Sequence, residues 1–165
     1  QLAGGTGIQV KIHKQAEDVH ADLGKLSRAV ADLVDNALKF SPEGSAIEVR
    51  VMPAKIRCGE AHLPGVAFSV LDRGPGVPEE DVERIFAPFE QGGDTLTGKP
   101  RGFGIGLWEA SSIARGHGGR LRYVPREGGG SEFRLVVPRI GLPIEPAETK
   151  GAPTPVAAAD SRQEI

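Results

Sequence analysis

Asp32, Asn36 and Lys39 stand at intervals of four and three, the spacing that brings side chains onto one face of a helix. Asn36 is the only asparagine in the chain and sits mid-run, where asparagine is a poor helix former. A carboxamide oxygen can ligate a hard cation, and a lysine one turn further on can meet a phosphate. An ordinary solvated face has the same spacing, so the triplet acquires meaning only from its company. Asp72-Arg73-Gly74-Pro75-Gly76-Val77 directly follows an apolar run. A carboxylate at a strand end can accept a hydrogen bond from an exocyclic amine, while Gly74 and Gly76 let the chain turn tightly around a flat ligand. A plain turn with a capping aspartate reads the same way. Gly102-Phe103-Gly104-Ile105-Gly106 sets flexible backbone at a helix start, where amide groups and the helix dipole favour phosphate oxygens. A hinge would use the same residues.

Two other phosphate-like patterns fail on context. Gly93 to Lys99 follows the phosphate-loop pattern, but Pro100 replaces the Ser/Thr that would bind magnesium, and no hydrophobic strand precedes it. In the dinucleotide fingerprint the last glycine position falls on Leu107, again without a leading strand.

These groups must be positioned by regular elements. Ile8, Val10 and Ile12 alternate with polar residues as a short strand. Apolar residues from Leu23 to Leu38 follow helical spacing, predicting a helix over 21–40 that Ser41-Pro42-Glu43-Gly44 stops. Ile47, Val49 and Val51 predict a strand and Val66 to Leu71 another, with 55–65 as the connecting turn or loop. Pro78-Glu79-Glu80-Asp81 starts a short helix, with acidic residues where the dipole favours them. Residues 87–104 lack periodicity and read as a long functional loop. A helix over 105–115 ends at Gly116-His117-Gly118-Gly119, and strands over 120–124 and 132–137 follow. Residues 141–165 form a Pro/Ala-rich tail or linker, leaving 1–140 as one folded unit. Adjacent strands without regular βαβ alternation predict an α+β sandwich: a mixed, mostly antiparallel sheet with helices on one face.

Composition narrows the function. At 165 residues and 39% hydrophobic, the chain supports one core. A formal net charge of -2 supplies no global field for nucleic acid or an anionic membrane, so any anion site is local. The single Cys58 excludes an internal disulfide framework and fits a reducing compartment. Met52, Cys58 and Trp108 have no site context. No apolar stretch approaches the roughly 20 residues of a membrane span, and the start at Gln1 points to a piece of a longer protein. Glycine is the anomaly: the 23 glycines make up about twice the usual share, and 14 of them fall between Gly74 and Gly130.

Taken in order, Asn36 within Asp35 to Phe40, the Asp72-x-Gly74-x-Gly76 turn, Phe86-Ala87-Pro88-Phe89 and Gly102-x-Gly104-x-Gly106-Leu107 closely resemble the N box, first glycine box, F box and second glycine box of the catalytic ATP-binding domain of sensor histidine kinases. The His117-Gly118-Gly119 turn and Gly129-Gly130-Ser131-Glu132-Phe133 are similar to the family's late segments. The resemblance implies the two-layer Bergerat sandwich of the GHKL ATPases and a cytoplasmic domain. It implies ATP and Mg²⁺ as ligands, with Asn36 on the metal, Lys39 on phosphate and Phe40 beside the adenine. Asp72 would bind the adenine amino group, Gly74, Gly76 and Val77 would shape the pocket, and Ser131 would hold a water between aspartate and base. Residues 86–104 would be the ATP lid, with Lys99 and Arg101 as nearby cations and Gly102, Phe103, Gly104, Ile105, Gly106 and Leu107 around the phosphates.

The implied chemistry is γ-phosphoryl transfer to a histidine, then to an aspartate of a response-regulator receiver domain. His13, His20, His62 and His117 lack the family's phosphoacceptor context, so the acceptor helical hairpin, normally also the homodimerisation element, is expected outside this chain. Asp32 stands where an acidic residue activates water in related ATPases, which adds weak ATP hydrolysis as an expectation. A serine kinase acting on an anti-sigma antagonist and a regulatory module that only binds nucleotide are the alternatives. The F box and the His117 turn favour the histidine kinase.

Overall fold

The computed structural model describes residues 7–16, 19–88 and 104–139. The order of elements is β1 (Ile8–Ile12), α1 (Leu23–Phe40), β2 (Ile47–Cys58), β3 (Ala61–Leu71), α2 (Gly106–Gly116), β4 (Arg120–Pro125) and β5 (Ser131–Pro138). The strands form one sheet in the order β1-β2-β3-β5-β4. β1 is parallel to β2 and every other pair is antiparallel.

Helix α1 begins where Asp22 accepts a hydrogen bond from the Lys25 amide at 3.0 Å, an N-cap that satisfies one of the helix's orphan donors. That bond holds the Asp22 carboxyl below the usual carboxylate range. Leu26, Ala29, Leu33 and Ala37 are buried along one stripe of the helix. Leu23 and Leu38, also apolar and helically spaced, lie outside that stripe at 66% and 42% exposed, so periodicity alone overstates the core. The stripe packs with Ala110 and Ala114 of α2 onto Ile47, Val70, Phe133, Leu135 and Val137 of the sheet, and both helices cover this one face. Along the strands, polar residues alternate with these core positions. On the opposite face Lys11 of β1 lies 2.6 Å from Glu48 of β2, joining the two strands, while Arg50–Glu48 and Arg134–Glu132, both at 2.7 Å, pair within β2 and within β5.

Two expectations need correction. The span 55–65 is not a loop: β2 and β3 continue as one long hairpin to Cys58 and Ala61, and Gly59 takes φ +59 at its tip. Pro53, Pro64 and Gly65 argue against a central strand, but β1 pairs with β2 only as far as Val51, and β5 pairs with β3 only as far as Gly65. Pro53 therefore lies beyond the end of β1, where proline removes no ladder bond, while at Pro64 the Arg139 amide donates to the proline carbonyl and the Arg139 carbonyl takes the His20 amide in place of the missing proline donor. The short helix expected from Pro78 is two single 3-10 turns, Glu79–Asp81 and Arg84–Phe86. Met52, Cys58 and Trp108 are all exposed, incidental surface positions as their lack of site context allows.

Candidate functional site

Strand β3 carries Asp72 into the interior just beyond its last paired residue, leaving it 2% exposed. Its Oδ1 accepts from the Gly74 amide at 2.7 Å and from the Ser131 amide at 3.1 Å. Both hydrogen bonds to the carboxylate land on one oxygen. Oδ2 receives none from the described residues and is left for another donor. A buried carboxylate with one oxygen so committed and one available is a hydrogen-bond acceptor of fixed direction.

The turn that follows is shaped by close approach. A Cβ on Gly74 would come 2.8 Å from the Phe40 carbonyl oxygen, so only glycine lets this turn seat against the end of α1. Gly76 takes φ +79, and the Val77 amide donates to the Tyr123 hydroxyl at 3.1 Å. Phe40 itself is 46% exposed beside this turn. Ser131 is buried, and its backbone amide and carbonyl both engage Asp72.

On α1, Asp32 and Asn36 are half-buried and Lys39 is exposed in the last turn. Asp32 Oδ1 accepts from the Arg28 guanidinium at 3.2 Å, while Oδ2 is buried without a partner. Burial pushes the Asp32 carboxyl above its usual range, against the nearby Arg28 charge and with the help of Glu109. A Cβ on Gly106 would lie 3.6 Å from the Asp32 Cβ, which sets the start of α2 directly against this part of α1. Gly104 takes φ +67 and Ile105 precedes the helix without a side-chain cap, so the first amides of α2 keep their donor capacity. Leu107 packs on the core. Lys99, Arg101, Gly102 and Phe103, with Phe89 of the F-box segment, lie outside the described residues.

The fold thus brings the turn at Asp72 and the start of α2 to two places on α1, the former at Phe40 and the latter at Asp32, with Asn36 and Lys39 between. Buried acceptor, carboxamide, lysine and helix N-terminus together suit a ligand with an amine at one end and phosphates at the other. Among the described residues no three acidic, histidine or cysteine side chains cluster as a metal site. Two concave surfaces lie elsewhere, one of about 620 Å³ beside Trp108 and His117 and one of about 740 Å³ beneath Leu23 and Val30, and neither includes Asp72.

The four histidines are accounted for without an acceptor helix: His13 follows β1, His20 precedes α1, His62 lies in β3 and His117 caps α2. His117 Nε2 accepts from the Asp22 amide at 3.1 Å, so its Nδ1 carries the proton and donates to the Ile113 carbonyl at 2.8 Å. The late histidine turn is a tether between the two helices. Sequence reasoning missed Tyr123 and Arg126, which grip the turn at Asp72 from the β4–β5 hairpin, and Arg73, which reaches from the turn to the Glu127 and Gly129 carbonyls of that hairpin. The only tyrosine of the chain, one strand before the glycine triplet, was the available signal.

Residues 21–140 match the family described as histidine kinase-, DNA gyrase B-, and HSP90-like ATPase. The adaptive-response sensory kinase SasA of Prochlorococcus marinus is 35% identical over 137 residues, covering 83% of this chain and 34% of that protein. The catalytic domain of histidine kinase ThkA superposes with a TM-score of 0.62 at 25% identity over 83% of this chain and 81% of that one. Full-length ShkA, solved in complex with AMPPNP, gives 0.63 at 29% identity over 82% of this chain and 26% of that one. The architecture is accordingly the Bergerat sandwich of histidine kinase catalytic domains. The chain spans about a third or less of the length of the first curated relatives it matches.

Proposed function

This chain belongs to the histidine kinase-, DNA gyrase B-, and HSP90-like ATPase family, as a catalytic domain homologous to those of sensor histidine kinases, and from that premise we propose that it binds ATP with Mg²⁺ and transfers the γ-phosphoryl group to a histidine on a helical hairpin outside residues 1–165. The observation that carries this reading is Asp72, whose buried carboxylate has Oδ1 fixed by two amides and Oδ2 available for the adenine amino group. Gly74, Gly76 and Val77 shape the base pocket and Phe40 flanks it, while Ser131 holds a water between Asp72 and the base. Lys39 and the amides of Gly104, Ile105, Gly106 and Leu107 face the phosphates, joined by Lys99, Arg101, Gly102 and Phe103.

The Asn36 carboxamide would hold Mg²⁺, a hard cation that carboxamide oxygens can ligate. Bound there, the ion supplies neutralisation of phosphate charge. The remaining contribution of the chain is positioning and backbone donors, which phosphoryl transfer chiefly needs. The acceptor hairpin also forms the homodimer of the whole protein and passes the phosphoryl group to the aspartate of a receiver domain. None of the four histidines of this chain lies within a helix that could serve as that acceptor.

A second activity, slow ATP hydrolysis, is favoured by Asp32: its buried, unpartnered Oδ2 and raised pKa suit a proton acceptor for water. The decisive experiment incubates the chain with γ-labelled ATP, with and without the helical hairpin of the full protein. Acid-labile label on the hairpin supports histidine transfer; acid-stable label on a protein partner, or none on either, overturns it. Asn36→Ala should abolish the magnesium dependence of ATP binding, and unaltered dependence would remove the metal assignment.

A further inference from the structure

Apart from the Gly74 amide donating to Asp72 Oδ1 at 2.7 Å, the turn from Asp72 to Val77 has little side-chain bracing from within itself. Gly74 and Gly76 make up its bend, Gly76 takes φ +79, and glycines confer no rigidity. Yet a base pocket needs this turn in one conformation before a ligand arrives, or binding must order it.

The bracing comes from the β4–β5 hairpin. The Tyr123 hydroxyl accepts the Val77 amide at 3.1 Å, beyond the glycines, and the Arg126 guanidinium donates to the Asp72 carbonyl at 2.6 Å, before them. Both ends of the turn are thereby held by side chains from one hairpin. Each of these residues is itself held in place. The Tyr123 ring lies 5.8 Å from that of Phe133 at 55°, a tilted aromatic contact, and Phe133 is fully buried. The Arg126 amide bonds the Gly130 carbonyl at 3.3 Å, and Arg73 reaches back from the turn to the Glu127 and Gly129 carbonyls at 3.4 and 3.3 Å. The two arginines cross between turn and hairpin. Burial, with Arg73 and Arg50 nearby, holds the Arg126 guanidinium below its usual value.

We infer that Tyr123 and Arg126 are positioning residues for base recognition: they hold the two ends of the turn so that Asp72 Oδ2 and the Gly74–Val77 backbone present a pre-formed pocket to the purine. Neither residue contacts the nucleotide in this scheme, and the inference rests on the reading of Asp72 as the adenine acceptor. It predicts a loss confined to the base, because phosphate-facing groups on α1 and α2 are untouched by the hairpin's grip.

The test measures ADP and GDP affinity by competition against a fluorescent ADP analogue for the unaltered chain, Tyr123→Phe, Arg126→Met, Arg126→Lys and Asp72→Asn, with Arg134→Met on the opposite face of the sheet as a control. Tyr123→Phe keeps the ring and removes only the acceptor, so ADP affinity should fall about three- to tenfold while GDP affinity holds, narrowing the ADP-over-GDP ratio. Arg126→Met should do the same, and Arg126→Lys, which keeps a donor, should recover part of the ratio. Arg134→Met should leave the ratio unchanged. An unchanged ratio in both Tyr123→Phe and Arg126→Met, or an equal fall for ADP and GDP, overturns the inference even when Asp72→Asn behaves as the functional reading requires. If Asp72→Asn itself preserves the ratio, the adenine assignment falls first and the inference with it.

Discussion

Asp72 and Ser131, 59 residues apart, hold each other through reciprocal contacts: the Ser131 amide donates to Asp72 Oδ1 at 3.1 Å, and the Asp72 amide donates to the Ser131 carbonyl at 2.9 Å. The backbone bond extends the β3–β5 ladder by one residue beyond Leu71↔Glu132. The carboxylate is therefore oriented by sheet register, independently of any ligand.

Asp72→Asn should keep the fold and lose the ligand. An asparagine oxygen can still accept from the Gly74 and Ser131 amides, but the amide nitrogen then replaces Oδ2 and sets a donor against the amino group of adenine. Loss of a hydrogen bond to a charged acceptor weakens binding by about 10- to 150-fold. Calorimetric titration with ADP checks this, alongside a melting temperature close to that of the unaltered chain.

Neighbouring glycines should respond very differently to alanine. At Gly130, φ is +104 and a Cβ would run into the Asp72 carbonyl oxygen, whereas at Gly129, φ is +94 and a Cβ would meet nothing within 4 Å. Gly129→Ala should cost only the left-handed backbone term, about 1–2 kcal/mol. Gly130→Ala adds displacement of the Asp72 backbone and should lower both melting temperature and ADP affinity. Equal melting temperatures for the two variants would contradict the close approach.

Asp32→Asn should separate stability from hydrolysis. Because burial raises the folded-state pKa of Asp32, its contribution to stability is fully present below the unfolded value and is lost as pH rises through the folded one. Removing the charge should therefore raise the melting temperature at pH 7, with the gain vanishing below pH ~4. The exposed Arg28 loses a partner at small cost, since such pairs contribute about 0–1 kcal/mol. Slow ATP hydrolysis measured on the same variant should fall; unchanged hydrolysis would exclude Asp32 as the base.

Acid should loosen the polar face of the sheet first. Arg50 and then Lys11 hydrogen bonds lower the Glu48 carboxyl from 4.5 to about 2. A depressed folded-state pKa contributes stability above the unfolded value, and that contribution is lost as pH falls from 4.5 toward 2. Glu48→Gln should flatten the fall in melting temperature across this window. Melts at pH 7, 4 and 3 for both proteins check it.

Local signals suffice for much of this molecule. The stop at Ser41-Pro42 and the 3.6-residue spacing place α1 within two residues, because helix formation and capping depend on near neighbours in sequence. The order of glycine-rich groups also identifies the family and the residues worth testing. The extension of the β2–β3 hairpin is not legible, since Pro53 is tolerated there only because β1 stops short of it. Nor is the exposure of Leu23 and Leu38, which depends on how wide a stripe of α1 the sheet and α2 can cover.

By itself, then, the sequence determined the two main helices and the fold class, and it named the residues proposed for the site. Only the tertiary structure decided that Asp72 offers one oxygen and commits the other, that Asp32 has an unpartnered buried oxygen, and that Tyr123 and Arg126 brace a turn about 50 residues away in the chain. The reason is the range of the forces involved. Propensity and periodicity act over one or two turns of chain, whereas the direction of a carboxylate and the burial of a charge are set by partners that strand pairing brings from far along the sequence.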